Sequence, residues 1–98
     1  MKAKVSLQLF VIRQKSTGKV MPEIYWKKGY THTEPESPYI AVPRLFPSRA
    51  GAARSLARWL QGRQSVIGTG DDLIHKLETV PDRDPEDMEI VEARLELP

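Results

Sequence analysis

No cysteine occurs in the 98 residues, which excludes disulfides, thiolate zinc sites and a cysteine nucleophile and leaves packing and hydrogen bonds to hold the fold. Only two histidines are present, His32 and His75. They lie far apart in sequence and form neither an HxH nor an HExxH arrangement, so no metal site is expected. There is no Gly-x-Ser-x-Gly elbow, and Ser16, Ser37, Ser48, Ser55 and Ser65 read as turn, cap or helix-surface residues. Gly68-Thr69-Gly70 lacks the lysine and the glycine spacing of a phosphate-cradling loop. The carboxylates gather in a strand and in loops, where solvation accounts for them. The sequence thus offers no catalytic residue and no cofactor, and a non-enzymatic protein is expected. No run reaches the about 18 apolar residues that cross a bilayer. The apolar stretch after Lys2 and Lys4 is interrupted by Gln8, and Arg13 follows without a small-residue cleavage site, so no membrane partner and a cytoplasmic location are expected.

What is present suits one small domain, 1–98, because chains of this length are too short to divide into two cores. With 40% hydrophobic and 29% charged residues the composition is globular. The net charge of +2 hides a division. Residues 1–70 carry 12 basic and 3 acidic side chains, a net +9, and residues 71–98 carry 3 basic and 10 acidic ones, a net −7. Either the acidic segment folds back and neutralises the basic one, or the two surfaces stay apart and meet different partners.

Val5, Leu7, Leu9 and Val11 repeat with period two over Lys4–Arg13 and predict a strand. Its other face begins with Ser6 and Gln8 and turns apolar at Phe10 and Ile12, so this end is expected to be covered on both sides. Gln14–Lys19 has the polar residues and the glycine of a hairpin loop. The return, Val20–Trp26, contains Pro22, which cannot donate to a ladder and points to an edge or a bulge. Lys27–Pro38 reads as a long exposed loop, and Tyr39–Phe46 as a third strand broken by Pro43.

Ser48 before the alanine-rich run Arg49–Gln61, with Gly62 after it, marks a helix. At 100° per residue Ala52, Ala53, Leu56, Trp59 and Leu60 share one face, while Arg54 and Arg58 lie opposite. Residues 64–87 read as a mobile or irregular connection, with a short helix over Asp71–Leu77. Asp84-Pro85-Glu86-Asp87 has the pattern of a capped turn. Val91, Ala93, Leu95 and Leu97 then alternate with Glu92, Arg94 and Glu96 in a closing strand with one buried and one wet face. The expected fold class is α+β: an antiparallel sheet of three or four strands covered on one face by one main α-helix.

Two binding surfaces stand out. The Lys27–Pro38 loop and its neighbour offer Lys27, Lys28, Tyr30, His32 and Tyr39 to a protein partner, since tyrosines beside basic groups are favoured anchors. A homodimer formed by edge pairing belongs to the same class. Alternatively Arg44, Arg49, Arg54, Arg58 and Arg63, on and around one helix, offer guanidinium groups to nucleic-acid phosphates.

Phe10-Val11-Ile12-Arg13 with Thr17-Gly18 and Met21-Pro22, Gly29-Tyr30-Thr31, Pro43-Arg44-Leu45-Phe46 with Ser48, and Ala52-Ala53 through Leu56 to Trp59 and Gly62 resemble a group of small uncharacterised phage and prophage proteins. Glu86-Asp87-Met88-Glu89-Ile90-Val91 is similar to their ending. The resemblance implies an accessory or host-directed factor acting in the bacterial cytoplasm by binding a macromolecule, inhibitors of bacterial defence included. It carries over no functional residue, because the group has no assigned active site.

Overall fold

The computed structural model describes residues 5–23, 29–68 and 70–97. Strand β1 (Val5–Gln14) comes first, and the one α-helix among the described residues, α1 (Arg49–Gln61), lies near the middle of the chain. A hairpin follows, β2 (Arg63–Ile67) with β3 (Ile74–Glu78), and β4 (Met88–Leu97) closes the chain. One-turn 3-10 helices stand at Tyr30–His32, Gly70–Asp72 and Pro85–Asp87.

The fold is α+β, but the described strands form two separate two-stranded sheets instead of one sheet of three or four. β1 and β4 pair antiparallel over their whole length, from Val5 opposite Leu97 to Gln14 opposite Met88. The Gln14–Lys19 loop turns as its composition predicts. Gly18 takes φ +73° and Gln14 N–H donates to Lys19 O at 2.7 Å. The chain then returns through single bridges, Arg13 to Val20 and Pro22 to Pro43, in place of the expected Val20–Trp26 strand, whose 24–26 part lies outside the described residues. Pro22 and Pro43, each without an N–H, account for the failure of a ladder here. The expected third strand, Tyr39–Phe46, shrinks for the same reason to bridges at Pro43 and Phe46.

Helix α1 begins where Ser48 Oγ accepts from Gly51 N–H at 3.1 Å and ends at Gly62, as the sequence predicts. Ala52, Leu56, Trp59 and Leu60 pack with Phe10, Ile12, Met21, Phe46, Met88 and Ile90 into the core. Ala53, at the margin of the apolar face, is exposed. Gly62 has φ +126°, and a Cβ there would stand 2.1 Å from Glu78 O. Gly62→Ala is therefore expected to cost about 1–3 kcal/mol, through left-handed strain and a clash with the hairpin backbone, measurable as a lower urea midpoint at unchanged m-value.

The 64–87 segment, expected as an irregular connection with a short helix at Asp71–Leu77, instead contains the β2–β3 hairpin, registered from Arg63 opposite Glu78 to Ile67 opposite Ile74. Val66, Ile67 and Ile74 favour extended backbone, and Gly68 and Gly70 take positive φ where the chain reverses. Asp84 Oδ1 accepts from Glu86 N–H at 2.9 Å, forming the expected cap.

Arg83, in the connection leading to β4, is the polar centre of the fold. Its side chain is 1% exposed. The guanidinium donates to Thr31 O and Trp59 O, each at 2.8 Å, and to Glu34 Oε1 at 2.7 Å, and it stacks over the Trp59 ring at 4.2 Å. One side chain thus ties the Tyr30–His32 turn, the C-terminus of α1 and the approach to β4. Its positive charge at the last turn of the helix also complements the helix dipole.

The radius of gyration is 16.1 Å, against about 13 Å for a spherical domain of this length. The molecule is elongated because α1 covers only the Phe10–Gln14 and Met88–Glu92 part of the β1–β4 ribbon, whose far end continues beyond the core.

Candidate protein-binding surface

The two faces of the β1–β4 ribbon differ in an unexpected way. Side chains alternate along each strand, and the pairs Phe10–Glu92 and Ile12–Ile90 put Phe10, Ile12 and Ile90 on the face that α1 covers. The uniformly apolar series, which the sequence places in the core, lies on the opposite face as the cross-strand pairs Leu7–Leu95, Leu9–Ala93 and Val11–Val91. No described element packs over it. Leu7 and Leu95 are 45% and 46% exposed, and Leu9, Val11, Val91 and Ala93 are half-buried. The assignment of Val91, Ala93 and Leu95 to a buried face is thereby corrected. Core volume decides the matter, since Phe10, Ile12 and Met88 fill the space against Trp59 and Phe46, and one helix covers one face.

Fully burying an aliphatic side chain is worth about 1.5–3 kcal/mol, so part of that gain is left unrealised, most of all at Leu7 and Leu95. Contiguous apolar surface of this kind marks interaction sites. Beyond the helix the ribbon's other face carries Ser6, Gln8, Arg94 and Glu96, all exposed, so its end is an arm with one apolar and one polar side.

Of the five loop-associated residues, Lys27 and Lys28 lie outside the described residues. Tyr30 is half-buried under the Arg44 guanidinium, 5.0 Å from its ring centroid. His32 Nε2 donates to Gln64 O at 2.9 Å, and its neighbour Thr31 is buried and accepts from Gln64 N–H. The part of the loop around Thr31 is therefore anchored under the hairpin and is not wholly exposed. Tyr39 stands apart, 96% exposed on the turn with Ile40. Tyr30 and His32 thus have partners within the chain, whereas Tyr39 has a free ring.

The five arginines are not equivalent. Arg44 stacks over Phe46 at 4.6 Å and donates to Ser55 Oγ at 3.2 Å. Arg49 lies over Phe10 at 5.2 Å, and Arg63 is 3.7 Å from Glu34 Oε1. Arg54 and Arg58 are exposed and have no ion-pair partner among the described residues. The acidic segment reaches the basic one at particular points, among them Glu89 pairing with Arg13 at 2.6 Å and Asp87 accepting from Ser16 N–H and Oγ–H.

A cleft of about 370 Å³ between α1, the Tyr30–His32 turn and the hairpin is lined by Tyr30, Arg58, Val66, His75, Lys76 and Leu77. It gathers basic groups and apolar walls, with no carboxylate among its described lining residues. An anionic group fits this arrangement, whereas a carboxylate acid–base pair is not assembled there. Among the described residues no cluster of three potential metal ligands occurs, and no helix is long and apolar enough to cross a membrane. The signal for the ribbon surface was visible in β1, where both faces become apolar and only one helix is available to cover them. Nothing in the sequence pattern singles out Arg83. No family model matches the chain, and no curated protein or solved structure is significantly similar to it.

Proposed function

We propose that this chain is a non-enzymatic binding protein, a phage-type accessory or host-directed factor, that grips a protein partner through the uncovered aliphatic face of the β1–β4 ribbon. The observation that carries this reading is the row Leu7–Leu95, Leu9–Ala93 and Val11–Val91, apolar on both strands and open to solvent at its end. A partner that covers it gains apolar burial and excludes water from a patch whose opposite side carries polar groups. Exposed Tyr39 and Ile40 supply a second, smaller apolar contact. Nucleic-acid binding remains the alternative. It is favoured by exposed Arg54 and Arg58, and disfavoured by the internal contacts of Arg44, Arg49 and Arg63.

The test compares wild type with the double variant Leu7→Lys/Leu95→Glu, whose opposite charges face each other across the ladder, in affinity capture from bacterial lysate. Both sites are already half exposed, so stability should change by about 0.5 kcal/mol or less per site, while proteins captured by wild type should be lost. Recovery of the same proteins by both forms, or of none by either, would sink the proposal. A salt titration with single- and double-stranded DNA and RNA runs alongside. Tight binding that weakens steeply with salt and is abolished by Arg54→Ala/Arg58→Ala would establish the alternative.

A further inference from the structure

The outer edge of β4 carries a pattern that matches itself. Phe10 exchanges both backbone hydrogen bonds with Phe46, N–H to O at 2.9 Å in each direction. Its peptide groups therefore point away from β4, and those of its partner Glu92 point away from β1. By alternation the N–H and C=O groups of Ile90, Glu92, Arg94 and Glu96 all project from the outer edge of β4. Among the described residues the one hydrogen bond that reaches this edge is a long one, from Arg49 to Ile90 O at 3.4 Å. An edge of this length with its peptide groups unpaired is a template for another strand.

We infer that the strand which completes it is β4 of a second copy, paired antiparallel about a two-fold axis through Ala93. This deepens the proposed function, because it rests on the ribbon being a binding element and names a partner for its edge. In that register Glu92 lies opposite Arg94 of the second copy and Arg94 opposite Glu92 of the second copy. Both are hydrogen-bonded pairs, so outward peptide groups meet outward peptide groups. Val91 falls opposite Leu95 of the second copy, which continues the aliphatic row across the junction. Charge selects this register. An axis through Glu92 sets glutamate on glutamate, and one through Arg94 sets arginine on arginine and Glu92 on Glu96. An axis through Leu95 pairs Arg94 with Glu96 but shortens the overlap from Glu89–Leu97 to Ala93–Leu97. Opposite charges directly across a ladder stabilise it and like charges oppose it.

The product is a four-stranded sheet in the order β1-β4-β4-β1, which supports the end of the ribbon that α1 does not cover. A two-stranded hairpin without further strands or a packed helix is marginal. At a strand spacing of about 4.8 Å the open aliphatic face also doubles in width, to about 19 Å across four strands. A self-complementary, isologous contact is the usual one for a two-fold dimer.

Sedimentation or light scattering of the intact chain should give twice the 11.1 kDa mass. Glu92→Arg alone and Arg94→Glu alone should each raise the dimer dissociation constant roughly tenfold or more, because each sets two like-charge pairs across the axis. Both side chains are exposed, so the monomer fold should persist, as judged by circular dichroism. Mixing the two variants should restore the dimer, since both pairs between positions 92 and 94 are then of opposite charge. In this cysteine-free chain, Ala93→Cys should oxidise to a cross-linked dimer, as non-hydrogen-bonded pairs bring Cα atoms to about 4.5 Å, within disulfide range. Leu9→Cys, on β1, should not. A monomer at high concentration, or a dimer indifferent to both charge reversals, would overturn the inference. Either result would leave the Leu7/Leu95 capture comparison standing, and failure of that comparison would leave the mass and mixing experiments standing.

Discussion

Arg83→Met is expected to lower folding stability by about 3–5 kcal/mol. Methionine keeps an unbranched stem and removes the fork, so the loss reports polar contacts more than packing. Trp59 O retains the Gly62 N–H at 3.1 Å, but Thr31 O loses a charged donor at 2.8 Å in the buried interior. Stripping a buried carbonyl costs about 1–3 kcal/mol, and each hydrogen bond to a charged group contributes about 1.5–3. Glu34 is 48% exposed, so water can solvate its carboxylate and its loss of a partner adds little. In a domain of this size the midpoint of thermal unfolding should fall by at least about 12 °C. Arg83→Lys should recover less than half of the loss, because a single ammonium cannot reach Thr31 O, Trp59 O and Glu34 together. A loss below about 1 kcal/mol in urea unfolding would show that these contacts are not what holds the three segments.

Trp59→Ala should cost a similar amount, about 3–5 kcal/mol, for a different reason. The indole is 3% exposed and packs among Phe10, Ile12 and Phe46, so its removal opens a cavity at the centre of the core. Its Nε1–H also donates to Thr33 O at 2.7 Å. Trp59→Phe keeps one aromatic ring, removes the donor and leaves a smaller cavity, so its stability should fall between that of wild type and that of Trp59→Ala. Because Arg83 stacks on this ring and both side chains fasten the same turn, Trp59→Ala combined with Arg83→Met should cost less than the two losses added, with a coupling of about 0.5–3 kcal/mol. Strict additivity in the double-mutant cycle would refute a shared core.

Neither substitution touches the ribbon face or the β4 edge, so both should act on binding only through the fraction folded. That separates them from Leu7→Lys/Leu95→Glu and from the charge reversals at Glu92 and Arg94, which should alter association while leaving unfolding nearly unchanged.

The local elements were legible where short-range chemistry decides them. Ser48 and Gly62 bracket the helix because a cap hydroxyl and a positive-φ residue act within one turn. Asp84 caps its turn for the same reason, and Gly18 closes the first loop. The period-two patterns of β1 and β4 gave their strands correctly. The hairpin at Arg63–Glu78 was less visible, because Val66 and Ile67 are separated from Ile74 by a turn containing Gly68 and Gly70 that resembles a linker. Of the candidate binding residues, Tyr30, His32, Arg44, Arg49 and Arg63 acquire partners from segments distant in sequence, which no local pattern announces.

By itself, then, the sequence determined where the helix starts and stops, which segments extend, and that charge is divided between the first 70 residues and the rest. Only the tertiary structure decided which face of the ribbon is covered, because one helix must choose between two apolar faces and the larger side chains, Phe10 and Ile12, fit against Trp59. It also decided that Arg83, ordinary in sequence, is the buried clasp, since a guanidinium acquires that role only when carbonyls from remote turns converge on it.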